Sequence, residues 1–230
     1  MMKMPLITPK HNYTDLERID GDEGRRYLCP SGDAVPSVTR ILGATKAPGD
    51  KKKLDDWIKR VGKKAADDIK NEACAVGTYM HKCLECDILG EEYIKFDPLF
   101  TQARSMANTL KEKCFDDIDE IWGTEVKLYY PEKYAGTTDV VGVYKGNECI
   151  MDFKQTNKPK RREWIGDYFL QLCAYAHAHN KVYGTEIKSG VVLMCSRDYQ
   201  VQTFELHTDH FYHFSEKWFD RLEKFYDLDK

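Results

Sequence analysis

Long hydrophobic runs are absent from this sequence. No stretch reaches the roughly 18 uncharged apolar residues of a membrane-spanning helix, so no contact with a membrane is predicted. The first 30 residues mix acidic and basic side chains, unlike a secretory signal or a transit peptide. Internal repeats and low-complexity tracts are also missing. We therefore expect a soluble, intracellular protein.

A global excess of positive charge is missing as well. The chain has 35 Lys and Arg against 38 Asp and Glu, and its formal net charge is -3. Most nucleic-acid binders carry a basic field, so any surface for DNA must be local here. The eight cysteines are scattered through predicted helices and strands, which favours free thiols in a reducing compartment over a disulfide scaffold.

The apolar content of 42% is enough for one core, and we predict a single domain over residues 1–230. Hydrophobic periodicity divides it into an irregular segment (1–50), a helical part (51–121), a sheet with one helix (122–206) and a final helix (207–230). This order of elements predicts an α/β (α+β) fold, with a mixed central sheet flanked by helices.

The individual elements follow from the same periodicity. Ordered pieces of the first segment are expected at 27–28 and 38–42, and helices at 51–69, 73–89, 97–121, 163–181 and from 208 onward. Strands are expected at 125–130, 137–144, 148–154, 190–195 and 201–206.

The second and third strands form a predicted hairpin with Gly146 and Asn147 as its two-residue turn. That turn makes Asp139 face Lys154 and makes Asp152 face Val141. The alternation of side chains along a strand then puts Asp139, Asp152 and Lys154 on one face of the sheet.

Two converging carboxylates repel each other and need a compensating cation. Oxygen ligands suit Mg²⁺ or Mn²⁺, and such a cation polarises a phosphoryl group and acidifies a water molecule. Lys154 could orient that water or stabilise charge on a phosphate. An ordinary ion pair between Asp139 and Lys154 on a solvated hairpin is the open alternative.

Four short motifs resemble a known family. Residues 136–139 (GTTD), 152–154 (DFK) and 171–175 (QLCAY) resemble the G-x-x-D, D-x-K and Q-x-x-x-Y motifs of RecB-type nucleases, in the PD-(D/E)XK superfamily. Upstream, residues 77–81 (GTYMH) resemble their G-x-x-x-H motif. The sequence around the DFK motif, which continues to residues 158–160 (KPK), is similar to that of the exonucleases of mitochondrial genome maintenance and of related phage exonucleases. A phage-encoded member would act in the bacterial cytoplasm.

The resemblance implies a restriction-endonuclease-like core and assigns roles to individual residues. The metal ligands it implies are His81, Asp139, Asp152 and the main-chain carbonyl of Phe153. Lys154 is the implied catalytic lysine, together with Asp139 and Asp152. Gln171 and Tyr175 are implied to position the scissile phosphate or the helix beside it.

Other residues are weaker candidates. Glu125 heads a strand, and Glu85 shares a helical face with His81, so either could join the metal site as a second acidic group. Ser37 and Arg40 could contact phosphate, although a helix N-cap is the simpler account of Ser37. The densest basic run could bind a DNA backbone or be a solvated face; it comprises Lys158, Lys160, Arg161 and Arg162.

His81, Cys83 and Cys86 could also suggest zinc, but two cysteines at helical spacing are more typical of core packing. Some of the RecB-type nucleases that the chain resembles hold an iron-sulfur cluster through one N-terminal cysteine and three clustered C-terminal ones. Only Cys195 follows Cys173 here, so no such cluster is expected.

The resulting hypothesis is a metal-dependent deoxyribonuclease that uses Mg²⁺ or Mn²⁺. The resemblance implies an exonuclease that prefers single-stranded DNA or free ends. A double-strand resecting exonuclease, an endonuclease, and a non-catalytic DNA-binding domain with the same fold are the alternatives.

Overall fold

The computed structural model describes residues 5–22 and 24–228, without the side chains of residues 50 and 51. The parts of the predicted segments 1–50 and 207–230 that fall on residues 1–4, 23, 229 and 230 lie outside the described residues. The strands are β1 (Leu6–Ile7), β2 (Glu17–Gly21), β3 (Gly24–Leu28), β4 (Ala34–Pro36), β5 (Ile118–Tyr130), β6 (Tyr134–Tyr144), β7 (Asn147–Thr156), β8 (Gly190–Ser196) and β9 (Val201–Leu206). The helices are α1 (Val38–Ala44), α2 (Pro48–Val61), α3 (Lys63–Leu89), α4 (Pro98–Cys114), α5 (Gly166–Tyr183) and α6 (Thr208–Leu228).

Six strands form the central sheet, in the order β1-β5-β6-β7-β8-β9. β5, β6 and β7 are a meander of antiparallel strands, β7 and β8 are parallel, and β9 returns antiparallel to β8. The connection from β7 to β8 runs through α5, as a parallel pair requires. The predicted α/β class with a mixed central sheet flanked by helices is confirmed.

The two faces of the sheet belong to two apolar cores. Val141 and Ile150 lie in the core formed with α1, α5 and α6, whereas Val140 and Met151 lie in the core formed with α3 and α4. Successive strand residues thus alternate between the cores, which is why β8 is buried along its whole length.

A second sheet of three antiparallel strands, β2-β3-β4, lies near the start of the chain. The ordered piece predicted at 27–28 is part of β3, and the piece at 38–42 is α1. Strands β2 and β4 were not predicted because β2 has no buried position and β4 has only three residues.

The helical part differs from the prediction in its division. The expected break between residues 69 and 73 is wrong, because α3 continues through it from Lys63 to Leu89. The break lies instead at Gly62, whose positive φ of 87° ends α2. Leu54 and Ile69, which the periodicity assigned to an apolar face, are exposed, and no described side chain of α2 is buried.

The helix expected at 97–121 also ends too late in the prediction. α4 stops at Cys114, a short 3-10 turn follows, and Ile118 begins β5. Ile118 and Ile121 are both buried with a helical spacing of three, so periodicity alone could not separate a helix from a strand here.

The hairpin turn is shifted by one residue from the prediction. Tyr144 pairs with Asn147, so Lys145 and Gly146 form the turn rather than Gly146 and Asn147. Both turn residues have a positive φ, 47° and 77°, as a type I′ hairpin turn requires. The shift changes the partner of each strand residue, but it leaves each side chain on its predicted face.

No helix in the described part of the chain is long and apolar enough to cross a bilayer. The cysteines are free thiols, and all are buried except Cys74. The single-domain expectation stays a prediction.

Gly142 provides a test of the sheet register. β5 contains a bulge opposite this glycine, and a Cβ added to Gly142 would lie 2.0 Å from the carbonyl oxygen of Glu120. Since the clash is with backbone, we expect Gly142→Ala to lower the free energy of unfolding by about 3 kcal/mol in urea titrations. Gly166→Ala is the matched control, because nothing lies near its added Cβ, and it should change stability by less than about 0.5 kcal/mol. Equal stabilities of the two variants would contradict the register.

Candidate active site

Three carboxylates lie at one level of the central sheet, on neighbouring strands. The pairs Thr124 with Val140 and Val126 with Thr138 place Glu125 opposite Asp139. On the other side of β6, the last ladder pair is Val140 with Met151, and the same register continues to Asp139 and Asp152. The prediction that Asp139 faces Lys154 is therefore wrong, because the turn begins one residue earlier than expected.

Asp139 occupies the point where the β6–β7 ladder ends. Its Oδ2 accepts a hydrogen bond from the main-chain N–H of Phe153 at 2.5 Å, so a side chain replaces the main-chain carbonyl that would continue the ladder. The Phe153 ring lies in the core beside α3 and α4, where it stacks on Phe115. The hydrophobic burial of this ring therefore fixes the N–H that holds Asp139.

His81 reaches the same carboxylate from α3. Its Nδ1 lies 3.1 Å from Oδ1 of Asp139. One ligand atom each from His81, Glu125 and Asp139 lie within 4.8 Å of one another, and no other set of three such ligands is found in the described residues. The structure thus brings His81 and Asp139 together as predicted and adds Glu125, which the sequence ranked lower.

Asp152 and Lys154 form a second, adjacent pair. Both lie on β7, their side chains are largely buried, and Nζ of Lys154 makes an ion pair with Oδ2 of Asp152. The same Nζ lies 5.1 Å from the centre of the Tyr168 ring on α5. Tyr168 was not singled out from the sequence, although its place two residues into the helix after the basic run offered a signal.

The three carboxylates differ in the direction of their pKa shifts: the pKa is raised for Glu125 and Asp152 and lowered for Asp139. Burial and the nearby Asp139 raise the pKa of Glu125 to about 7. Burial also raises the pKa of Asp152 to about 6, although Lys154 opposes this. Burial alone would raise the pKa of Asp139 too, but His81, Lys154 and the Phe153 N–H together hold it below its usual value.

The protonated forms of the two basic groups are favoured by the neighbouring carboxylates. Burial disfavours protonated His81, but the Asp139 carboxylate outweighs burial and raises the pKa of His81. In Lys154, burial is likewise outweighed by Asp152 and Asp139, and the pKa is raised. The two carboxylates whose pKa values are raised are therefore Glu125 and Asp152, and burial is the largest cause for each.

Gln171 and Tyr175 lie on α5 and are buried, and Nε2 of Gln171 donates to Oη of Tyr175 at 3.2 Å. A Cβ added to Gly136 would lie 2.7 Å from the Tyr175 ring. The glycine of the first motif thus leaves room for the tyrosine of the third. The contact joins β6 to α5, and the implied roles of Gln171 and Tyr175 stay predictions.

The basic run divides between two environments. Lys158 and Lys160 line a cavity of about 410 Å³ with Trp164 and Tyr168, and Lys160 also lines a neighbouring cavity of about 600 Å³ with Lys46 and Lys53. Arg162 points elsewhere.

Arg162 contacts β9 and α5 instead. Its Nη2 donates to the main-chain carbonyl of Glu205 on β9, and its guanidinium lies 4.6 Å from the centre of the Phe169 ring. Arg161 lies over the ring of Trp164, which is 62% exposed. The run is therefore not one uniform surface, and its two lysines share a cavity with Tyr168, whose ring lies near the Lys154 ammonium group.

The remaining candidates are placed as follows. Ser37 is buried and its Oγ caps α1 by accepting from the Arg40 N–H at 3.1 Å, which agrees with the simpler account of this residue. The guanidinium of Arg40 lies over the Phe225 ring. Glu85 is held by Lys82 at 2.8 Å. It borders the metal-ligand cluster but is not part of it.

Cys83 and Cys86 are buried, and Cys83 packs in the core of α3 and α4. Neither cysteine joins His81 in a metal-ligand group within the part of the chain that the structure describes. The core-packing interpretation of the C-x-x-C spacing fits this placement.

A further cavity of about 420 Å³ opens beside His81 and Glu125. Arg18 and Arg25, from the small N-terminal sheet, line it. The sequence analysis missed both arginines, because only the tertiary fold brings β2 and β3 to this site.

Comparison with known proteins supplies relatives. Three proteins named mitochondrial genome maintenance exonuclease 1 match this chain. The Xenopus tropicalis protein is 26% identical over 238 aligned positions, which cover 96% of this chain and 67% of that protein. The Mus musculus and Homo sapiens proteins are 27% and 26% identical, and each match covers 72% of this chain. The chain spans about half the length of the mouse and human proteins, 51% and 50%.

No protein-family model matches the chain. A crystal structure of an exonuclease candidate from Eubacterium rectale superposes with a TM-score of 0.49 at 9% identity, covering 69% of each chain. This likeness is too low to inform the fold or the activity.

The raised pKa of Glu125 gives a testable pH dependence. A carboxyl group whose pKa is higher in the folded state stabilises the fold below its unfolded pKa, and this contribution is lost as the pH rises through about 7. We expect the melting temperature of metal-free protein to fall between pH 5 and pH 8 by a larger amount than that of Glu125→Gln. The measurement is thermal melting in chelator.

Glu186→Gln is the control, because Glu186 is exposed and pairs only with Lys188 in the ion pairs of the described residues. It should melt like wild type at both pH values. A Glu125→Gln variant that loses as much stability with pH as wild type would contradict the charge balance described for the site.

Proposed function

We propose that this chain is a metal-dependent deoxyribonuclease of the PD-(D/E)XK type, and that it is an exonuclease acting on single strands or free ends of DNA. The observation that carries the proposal is the convergence of His81, Glu125 and Asp139 beside the Asp152–Lys154 pair. The relatives named as exonucleases support a nuclease. The order of the four sequence motifs supports the superfamily.

The donor set fits a divalent cation. Two carboxylates suit Mg²⁺ and Mn²⁺, and imidazole is a ligand of first-row transition metals, so Mn²⁺ fits the mixed set well. Burial and, after it, the Asp139 charge raise the pKa of Glu125 to about 7, and a bound cation would offset both effects by stabilising the ionised carboxylate. His81, Glu125 and Asp139 would hold the ion, with Asp152 and the Phe153 carbonyl as further oxygen donors.

A cation in this site would polarise the phosphoryl group and lower the pKa of a water molecule. The protein residues then have separable tasks. Asp139 orients His81 through their hydrogen bond, and Asp152 holds the ammonium group of Lys154 in place. Because the pKa of Lys154 is raised, this group stays protonated at neutral pH and cannot take up a proton. Its task is to stabilise negative charge that builds on the phosphate.

The nucleic-acid path would follow the two cavities beside Lys158 and Lys160. Both cavities border Tyr168, whose ring lies under the Lys154 ammonium group, so they lead to the proposed chemistry. Trp164 is exposed between them and could stack on an unpaired base, which favours a single-stranded substrate. This local basic surface is compatible with a chain whose net charge is negative.

The test of the proposal is a digestion series on end-labelled linear single strands, linear duplexes and circular single strands. We expect cleavage to stop in chelator, to return with Mg²⁺ or Mn²⁺, and to stay absent with Ca²⁺, which has looser coordination. Asp152→Asn and Lys154→Met should each lower kcat/KM by at least about 100-fold. Linear single strands should be shortened while circles stay intact.

The control is Lys188→Gln, a loss of one exposed charge near the start of β8, which should cut like wild type. Cleaved circles would assign an endonuclease, and preferred duplexes a resecting enzyme. Full activity in chelator, or unimpaired cutting by Lys154→Met, would exclude the proposed chemistry.

The divided basic run gives a separate prediction on DNA affinity. Lys158→Gln and Lys160→Gln should each weaken single-stranded DNA binding and reduce the slope of log K against log salt by about 1. Arg162→Gln is the matched variant from the same run, and it should change the slope less because its guanidinium is bound to β9. Fluorescence anisotropy at several salt concentrations measures all three. The largest slope change at Arg162 would place the DNA path elsewhere.

A further inference from the structure

The hairpin of β2 and β3 carries one charged face. Arg18 pairs with Tyr27 and Asp20 with Arg25, so these four side chains lie on the same side of the two strands. Tyr27 is buried, and its hydroxyl lies 3.2 Å from Oγ1 of Thr137. Thr137 lies on β6, two residues before Asp139. The buried tyrosine therefore fixes the charged face of the hairpin toward the metal-ligand cluster.

Both arginines of this face border the same space as the cluster. Arg18 and Arg25 line the cavity of about 420 Å³ together with His81 and Glu125. The neighbouring cation, Lys82, is engaged by Glu85 at 2.8 Å. The guanidinium groups of Arg18 and Arg25 thus suit an anion in this cavity, whereas the Glu125 carboxylate suits a cation.

Asp20 holds both arginines in the geometry that an anion would require. Nε and Nη2 of Arg18 lie 2.8 Å and 3.1 Å from the two oxygens of Asp20, and Nε of Arg25 lies 3.5 Å from one of them. A paired fork of this kind binds phosphate as well as carboxylate. The side chains are 39% to 59% exposed, and ion pairs at such exposure contribute little to stability. A phosphate could therefore displace Asp20 at low cost.

We infer that Arg18 and Arg25 form a phosphate subsite beside the metal-ligand cluster, which Asp20 occupies until a phosphate group of the nucleic acid displaces it. The inference rests on the proposed function, because it assigns the anion to the same substrate. It adds a second phosphate contact to the one proposed at the Lys158–Lys160 surface. A phosphate at a strand end and an internal phosphodiester share the required chemistry, and the experiment separates them.

The experiment measures binding of short fluorescent single strands in chelator, where the proposed cleavage cannot occur. The strands carry a 5′-phosphate, a 3′-phosphate or no terminal phosphate, and a fourth is circular. Arg18→Gln and Arg25→Gln should each weaken binding about three- to tenfold. Asp20→Asn should strengthen it about two- to threefold, because it removes the competing carboxylate. Lys188→Gln, which removes a positive charge outside the cavity, should bind within about twofold of wild type.

The arginine variants should lower the DNA affinity and Asp20→Asn should raise it, and this difference distinguishes a phosphate subsite from an ordinary charged hairpin. If the ion pairs of Asp20 with Arg18 and Arg25 only stabilised the hairpin, Asp20→Asn would lower the melting temperature without raising the affinity for DNA. Arg25→Lys keeps the charge but loses the fork, and it should recover part of the affinity lost in Arg25→Gln. Thermal melts of each variant check that the fold is intact.

The outcomes assign the phosphate or remove the inference. A loss confined to one phosphorylated end assigns the subsite to that end, and an equal loss on all strands, circles included, assigns it to an internal phosphodiester. Weaker binding by Asp20→Asn, or arginine variants that bind like Lys188→Gln, would overturn the inference. The binding assay contains chelator and does not depend on cleavage. If the variants bind as expected but the protein never cuts DNA with metal added, the result contradicts the proposed function and leaves the phosphate subsite standing.

Discussion

The candidate site depends on one hydrogen bond, from the main-chain N–H of Phe153 to the carboxylate of Asp139. It ends the β6–β7 ladder where the strands would otherwise continue to pair, and it keeps Asp139 within reach of His81 on α3. The N–H is fixed because the Phe153 ring is buried against Phe115. Core packing on one face of the sheet therefore sets the position of a charged group at the ladder's end, and the other site residues are arranged around that group.

The charges around Asp139 are balanced unequally. On β7, Asp152 has the Lys154 ammonium as a direct partner, so neutralising Asp152 would leave a buried cation and could destabilise the protein. On β5, Glu125 has a positive φ of 50°, faces Asp139 and has its pKa raised to about 7. In the metal-free site, burial thus disfavours the charged form of both Glu125 and Asp152, and only Asp152 has an ion pair to offset it among the described interactions. A neutral side chain at position 125 would lower the free energy of the folded state relative to a buried carboxylate. The presence of Glu125 there therefore supports the proposed cation-binding role over a role in stability.

Much of the sheet could be predicted from the sequence because the alternation of side chains tolerates an error in the turn. Moving the turn from Gly146–Asn147 to Lys145–Gly146 changed the partner of Asp139 from Lys154 to Asp152, yet all three stayed on their predicted face. The helical part was harder, since α2 has an apolar stripe that no core covers, and only Gly62 marks the true break. The sequence could not place Glu125 opposite Asp139, because that pairing is set by two bulges in β5 that no sequence pattern predicts.

The arginines of the β2–β3 hairpin extend the same argument to contacts far apart in sequence. Arg18 and Arg25 precede the sheet residues of the site by about 100 positions, so local periodicity could not connect them. What connects them is Tyr27, whose hydroxyl meets Thr137 on β6. Two groups of cations then lie near the site. Arg18 and Arg25 line the cavity beside His81 and Glu125, and Lys158 and Lys160 line a cavity with Tyr168, whose ring lies near the Lys154 ammonium group. A polyanion that contacted both groups would bring its own charge close to the carboxylates, and that repulsion would be offset by a cation bound there. Under the proposed function, binding of the metal and binding of the nucleic acid would therefore favour each other.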